Sequence, residues 1–240
     1  GDDTVFPTIS GTTQPIIGDD NIYTFSPVPI ATDYEWRQSR TESFNEKVNA
    51  ENGMGSLVAT TSPDYDVIDK KTKASGSASF HLAHTEFIDQ LLTFDVDFLP
   101  ATNSKLMFKS RLGQASDVQI AKVQVSQDGS SWQDMFSQAG DGGKGESKFS
   151  TKEVDLGAFA GQIIKIRFNY SIDFGSFFPQ SSAGVGWYID DIAFVDTAEL
   201  FDSNVNATSR NNKFTFNPSQ EGDYALHVRG LAFDGFPLEW

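Results

Sequence analysis

Cysteine is absent from the 240 residues, so no disulfide, thiolate metal site or cysteine nucleophile belongs to this protein's chemistry. Also missing are an apolar run long enough to span a bilayer as a helix, an opening of signal-peptide type and any segment of sustained helical period. Basic residues are few, with Lys plus Arg at 18 against Asp plus Glu at 33, a formal charge of −15. A field of that sign repels phosphate backbones and anionic lipid surfaces. The expected partners therefore include no nucleic acid, and the expected role involves no membrane insertion.

What is present is apolar enough to fold. Phe occurs 21 times, and hydrophobic residues make up 38% against 21% charged, which is the composition of a globular chain rather than a disordered one. Gly, Ser, Thr, Asp and Asn break up short apolar runs along the whole length, the rhythm of strands and turns. At this length one large β-sandwich or two smaller domains can each bury a core. Acidity without cysteine suits an exported, bacterial, secreted or cell-surface protein, or one whose loops hold calcium. The opening Gly1-Asp2-Asp3 reads as a processed start.

Along the chain, a Gly-Asp-Asp-Asn turn leads into a strand over Ile22–Phe25, and Ala31–Trp36 reads as another. Leu91–Phe98, Lys105–Ser110 and Ala121–Ser126 alternate apolar and polar residues, as half-buried strands do. In Ala121–Ser126, Val123 and Val125 share one face opposite Lys122 and Gln124. Asp128-Gly129 marks a hairpin turn before Trp132. Ile164, Ile166, Phe168 and Tyr170 share a face opposite Lys165, Arg167 and Asn169, and the last strand of this set runs Trp187–Val195.

Four ordered motifs carry a family resemblance over residues 41–196: Glu42-Ser43-Phe44, the run from Val123 to Trp132, the run from Val154 to Gln162 before an apolar strand, and Gly186-Trp187-Tyr188-Ile189-Asp190-Asp191-Ile192. Together they resemble a MAM-type jelly roll, a module that accompanies secreted bacterial peptidases of the immune-inhibitor-A type and other surface proteins. Residues 1–40 resemble the opening of PKD-like or Ig-like repeats, and residues 197–240, with Gly222-Asp223-Tyr224, resemble the closing strands of an Ig-like domain. The fold expected is all-β: an antiparallel jelly-roll β-sandwich at 41–196, inserted in a smaller Ig-like sandwich made of 1–40 and 197–240. Insertion of this kind is tolerated where loop ends lie close together.

The resemblance also implies a structural calcium held by Glu42, Asp190 and Asp191, with backbone carbonyls completing the shell. Calcium wants six to eight oxygens, and adjacent residues of a strand point to opposite faces, so one aspartate of the pair serves one ion best. His81, His84 and Glu86 invite a zinc reading, but strand residues three apart diverge, and satisfied histidines are the better expectation. Gly140–Ser147 has the look of a phosphate loop without its fixed spacing or a following helix, so it reads as a hairpin loop. No paired acid and base and no G-x-S-x-G signature points to catalysis.

The binding expectation rests on loop aromatics: Phe174, Phe177 and Phe178, together with Tyr65 in the acidic Pro63-Asp64-Tyr65-Asp66 segment. Flat aromatic faces flanked by polar groups bind sugars; the competing role for the phenylalanines is to lid the sandwich end. Trp36, Trp132 and Trp187 stand in or beside strands and read as core. The function expected is a non-catalytic binding module of a larger parent polypeptide, taking a glycan or an extracellular protein. Its rivals are a spacer or adhesin segment without a small ligand, and a piece of a secreted peptidase or polysaccharide-degrading enzyme.

Overall fold

The computed structural model describes residues 6–208 and 211–240. It divides into two compact units, one made of Gly1–Glu42 with Glu199–Trp240 and the other of Ser43–Ala198. In chain order the strands are β1 (Ile9–Ser10), β2 (Asn21–Phe25), β3 (Asp33–Ser43), β4 (Leu57–Thr60), β5 (Ile68–Asp69), β6 (Ser79–Leu82), β7 (Gln90–Phe94), β8 (Asp97–Leu112), β9 (Gln119–Ser126), β10 (Gln133–Ala139), β11 (Ser150–Asp155), β12 (Lys165–Ile172), β13 (Trp187–Thr208), β14 (Lys213–Phe216) and β15 (Tyr224–Leu231). The helical content described is one 3₁₀ turn at Gly157–Phe159. The fold is all-β, as the alternation predicts, and its named strand pairs are antiparallel, as the family resemblance implies.

The central unit, 43–198, is a sandwich. One sheet has the order β10-β9-β12-β7-β4. In the other, β8 lies between β11 and the start of β13, while β6 pairs with β13 and with β5. Between them lie Leu92, Phe94, Val123, Ile166 and Phe168 of the first sheet and Phe80, Leu106, Phe108, Trp187 and Ile189 of the second. Phe108 and Phe168 meet edge to face at 5.2 Å across the layers, the geometry aromatic pairs prefer. Trp187 is fully buried and donates its indole N–H to Ser110 Oγ at 2.9 Å, which satisfies the one polar atom the ring carries inward.

Three strand assignments differ from the alternation read in the sequence. Leu91–Phe98 is two strands, because the chain leaves the β10-β9-β12-β7-β4 sheet after Phe94, bends at Asp95 and enters the facing sheet as β8. Alternation is blind to this, since both strands turn every second residue to the same core. The strand begun near Ala31 runs on to Ser43, and that begun at Trp187 runs to Thr208. In the latter, Asp196 and Asp202 take left-handed backbone, each with φ of 47°, so polar residues interrupt the alternation without ending the strand.

The terminal unit, residues 6–42 and 199–240 as described, has a small sheet of order β1-β2-β14 and a long pairing of β3 with β15. Its own core holds Tyr23, Phe25, Tyr34, Trp36, Phe214, Phe216 and Val228. Phe214 lies between two rings, stacked on Trp36 at 4.6 Å and on Tyr23 at 5.4 Å.

Candidate binding face of the five-stranded sheet

Pleating turns alternate residues of the five-stranded sheet away from the core. The register then lines up Asp134, Gln124, Arg167, Thr93 and Val58 across β10, β9, β12, β7 and β4. Arg167 is the third residue of the central strand, β12. Its guanidinium lies over the Trp132 ring, with Cζ 4.0 Å from the ring centre, and its Nε donates to Gln124 Oε1 at 2.7 Å. The same oxygen accepts from Asn169 Nδ2 at 3.1 Å, and Gln124 Nε2 donates to Asp134 Oδ1 at 2.6 Å. Lys122 pairs with the other oxygen of Asp134 at 3.1 Å.

This network continues toward the far end of β12. Asn169 Nδ2 also reaches Asp89 Oδ2 at 3.2 Å, and Asp89 Oδ1 accepts the Ile172 backbone N–H at 3.0 Å. Asn169 is 3% exposed, yet its Oδ1 has no hydrogen-bond partner. Beyond Asp89 and Ile172, Phe87 lies edge-on to Phe174 at 5.9 Å and to Phe177 at 5.8 Å. Phe174 is 98% exposed. Aromatic and amide groups thus form a strip from Trp132 to the Phe87 cluster, and Ile172 lies five positions along β12 from Arg167, or ~16 Å of strand.

Burial pulls the Arg167 guanidinium below its ordinary range, against the upward pull of Asp89 and Asp134; an arginine stays charged through such a shift. At the turn before Trp132, desolvation works to raise the Asp128 carboxyl. The N–H groups of Ser131 and Ser130 and nearby hydroxyls outweigh it and hold the group well below the usual carboxylate range. Asp128 Oδ1 accepts Ser130 N and Ser131 N, each at 2.7 Å, an Asx turn that fixes where Trp132 emerges.

Of the aromatics read from the sequence, the structure brings Phe174 and Phe177 together, with Phe87 as an unexpected third member. Tyr65 is elsewhere and is not a free platform: its ring packs on the core, and its hydroxyl lies 3.0 Å from His81 Nδ1. Burial pushes that hydroxyl's pKa up. Phe178 is fixed through its backbone, its N–H donating to Gln119 Oε1 at 3.0 Å. Trp36 and Trp187 are core, but Trp132 is not. The polar faces of β9 and β12 were legible as such; that these two strands are neighbours, and that Trp132 lies beneath Arg167, was not.

His81 and His84 are satisfied histidines. His81 Nε2 lies 2.7 Å from Val185 O, and His84 Nε2 lies 2.8 Å from Tyr170 O. Gly140–Ser147 is a loop between β10 and β11, tied by Gly142 N to Ala115 O at 2.9 Å.

Two of the residues expected to hold calcium, Asp190 and Asp191, have hydrogen-bond and ion-pair partners of their own. Asp190 is buried, and its Oδ2 accepts Ala74 N at 2.8 Å and Ser75 N at 3.2 Å, while Oδ1 accepts Asp191 N at 2.7 Å. Burial pushes its carboxyl up against these hydrogen bonds. Asp191 pairs with the Lys47 ammonium at 2.8 Å and takes the Ser75 hydroxyl at 2.8 Å. Burial works upward on it, but these partners prevail and hold it below the usual range. Glu42 belongs to the other compact unit, and among the described residues no three His, Asp or Glu side chains gather into a metal-holding group. Both oxygens of Asp190 and Oδ1 of Asp191 thus already meet N–H, hydroxyl or ammonium groups, with which a calcium ion would compete.

No family model matches the chain, and no curated protein matches it. Solved structures resemble it in fold. TmCBM61 in complex with β-1,4-galactotriose is 17% identical over 64% of this chain and 99% of that one, with a TM-score of 0.44. A structure from work on carbohydrate-binding modules of the β-sandwich superfamily is 10% identical over 80% and 99%, at 0.40. The N-terminal cellulose-binding domain of a Cellulomonas fimi β-1,4-glucanase is 13% identical over 65% and 97%, at 0.37. Likeness at this level transfers neither ligand nor site.

Proposed function

We propose that the central unit is a non-catalytic glycan-binding module and that the outward face of its five-stranded sheet is the binding platform. The observation that carries this is the pairing of Trp132 with the Arg167, Gln124, Asn169 and Asp134 network on one open face. A pyranose presents an apolar C–H face and a rim of hydroxyls that both donate and accept, so it is met by an aromatic plate beside amides, carboxylates and a guanidinium. Asp89 and Asp134 each take hydrogen bonds from neighbouring amides, a setting for positioning a ligand rather than for moving protons. Phe174 and Phe177 add an apolar lip at the far end of the strip, in keeping with their expected role. We read the module as MAM-like and the terminal segments as one discontinuous Ig-like sandwich, both parts of a larger secreted or surface protein.

The test is retention of the whole chain in gels containing soluble polysaccharides, followed by calorimetry on any that retard it. Wild type is expected to be retarded by at least one polysaccharide, with Trp132→Ala removing the effect and Phe174→Ser weakening it. Full retention of Trp132→Ala would overturn the assignment of the face, and an absence of retention across neutral and acidic polysaccharides would overturn the glycan reading.

A further inference from the structure

We infer that the Arg167 fork selects glycans carrying an oxyanion substituent, a uronate carboxylate or a sulfate ester; this rests on the glycan-binding reading of the same face. Arg167 is held at three of its features: the guanidinium plane by the Trp132 ring 4.0 Å below, Nε by Gln124 Oε1, and the strand position by pairing on both sides with β9 and β7. Its terminal nitrogens make no hydrogen bond or ion pair with the described residues. A guanidinium fixed in this way presents parallel N–H groups that match two oxygens of one carboxylate or sulfate, which a lysine ammonium does not.

The other charges on the face are committed. Lys122 and Gln124 Nε2 take the two oxygens of Asp134, Lys165 pairs with Asp97 at 2.6 Å, and Asp89 is shared between Asn169 and the Ile172 N–H. Asp89 and Asp134 still pull on Arg167 electrostatically, but neither reaches its fork. Arg167 is therefore the cation on this face whose terminal N–H groups meet no carboxylate among the described residues. The formal charge of −15 repels polyanions in general, so retention of one requires a focused cationic contact rather than diffuse attraction.

The experiment compares the whole chain with polygalacturonate, a sulfated galactan and an uncharged galactan, using wild type, Arg167→Gln and Arg167→Lys, with melting curves to show that each variant is folded. Wild type is expected to bind at least one of the two acidic polymers about tenfold or more tightly than the neutral one, and which of the two is retained separates carboxylate from sulfate. Arg167→Gln should erase the preference, and Arg167→Lys, with charge but no fork, should recover only a minor part of it. Equal or tighter binding of the neutral galactan by wild type overturns the oxyanion inference and leaves the glycan reading standing. A preference for the acidic polymer that survives in folded Arg167→Gln also overturns it. Failure to bind any of the three, with other neutral polysaccharides also failing, removes both.

Discussion

The guanidinium of Arg167 is stacked on Trp132 with 4.0 Å between Cζ and the ring centre, and this contact joins two elements of the face, the hairpin turn before β10 and the first half of β12. A cation over an indole at a half-exposed site contributes roughly 0.5–1 kcal/mol. A double-mutant cycle of Trp132→Ala and Arg167→Ala in chemical denaturation is expected to return a coupling of about that size. Gln124→Ala should cost more than either, roughly 1–3 kcal/mol, because Arg167 Nε, Asn169 Nδ2 and Asp134 Oδ1 lose a partner together. Additive single-mutant effects would show that the stack holds nothing in place.

Phe174 is 98% exposed and touches Phe87 at its edge, so little of its apolar surface is withdrawn from water. Phe174→Ser should leave the denaturation midpoint within about 0.5 kcal/mol of wild type. Phe87, 46% exposed, contacts both Phe174 and Phe177, and Phe87→Ala is expected to cost about 1 kcal/mol and to leave the 174–177 segment more open to limited proteolysis. A large loss from Phe174→Ser would mean that the ring lids the sandwich after all.

Alternation made β9 and β12 legible residue by residue, down to which of their side chains turn away from the core. It also placed Phe168 and Trp187 in the core, where they lie 5.8 Å apart. The sandwich corner at Asp95 was invisible because β7 and β8 present the same period to a shared interior. The site was harder still. Arg167 is far along the chain from Gln124 and Trp132, and only strand order brings it to their hairpin; β12 lies between β9 and β7, an arrangement no local pattern encodes. Tyr65 misled for a related reason: a tyrosine in an acidic loop looks like a platform until the partner of its hydroxyl, His81, is known.

Asp190 is a buried carboxylate serving three backbone N–H groups, from Ala74, Ser75 and Asp191. Asp190→Ala strands those donors, and a loss of roughly 2–4 kcal/mol is expected, with the 70–78 segment loosened first in hydrogen exchange. Because N–H, hydroxyl and ammonium groups already meet both oxygens of Asp190 and Oδ1 of Asp191, chelator should leave the melting temperature of the wild type unchanged, and added calcium should not raise it. A chelator-dependent drop abolished by Asp191→Ala would show that an ion displaces Lys47 from its pairing.

His84 makes stability depend on mild acid. Its Nε2 lies 2.8 Å from the Tyr170 carbonyl and its Nδ1 lies 3.0 Å from the Gln119 amide nitrogen. A carbonyl only accepts and an amide nitrogen only donates, so the ring is the neutral Nε2–H tautomer. Burial drives its pKa from 6.5 down to about 4, against the upward pull of the Tyr170 carbonyl and Asp89. Protonation would turn a second N–H onto the Gln119 amide. Between these two values the unfolded chain binds more protons than the folded one, so the contribution is fully present above pH 6.5, declines as the pH falls, and is gone near pH 4. At about 1.4 kcal/mol per unit, the span amounts to ~3 kcal/mol. His81, whose pKa is also lowered chiefly by burial, acts with the same sign. Denaturant midpoints measured at intervals from about pH 7 to about pH 4.5 should fall accordingly, and His84→Gln should flatten the slope whatever it does to stability at neutral pH. A wild-type midpoint that does not move over this interval would mean that the ring takes up its proton without leaving the fold.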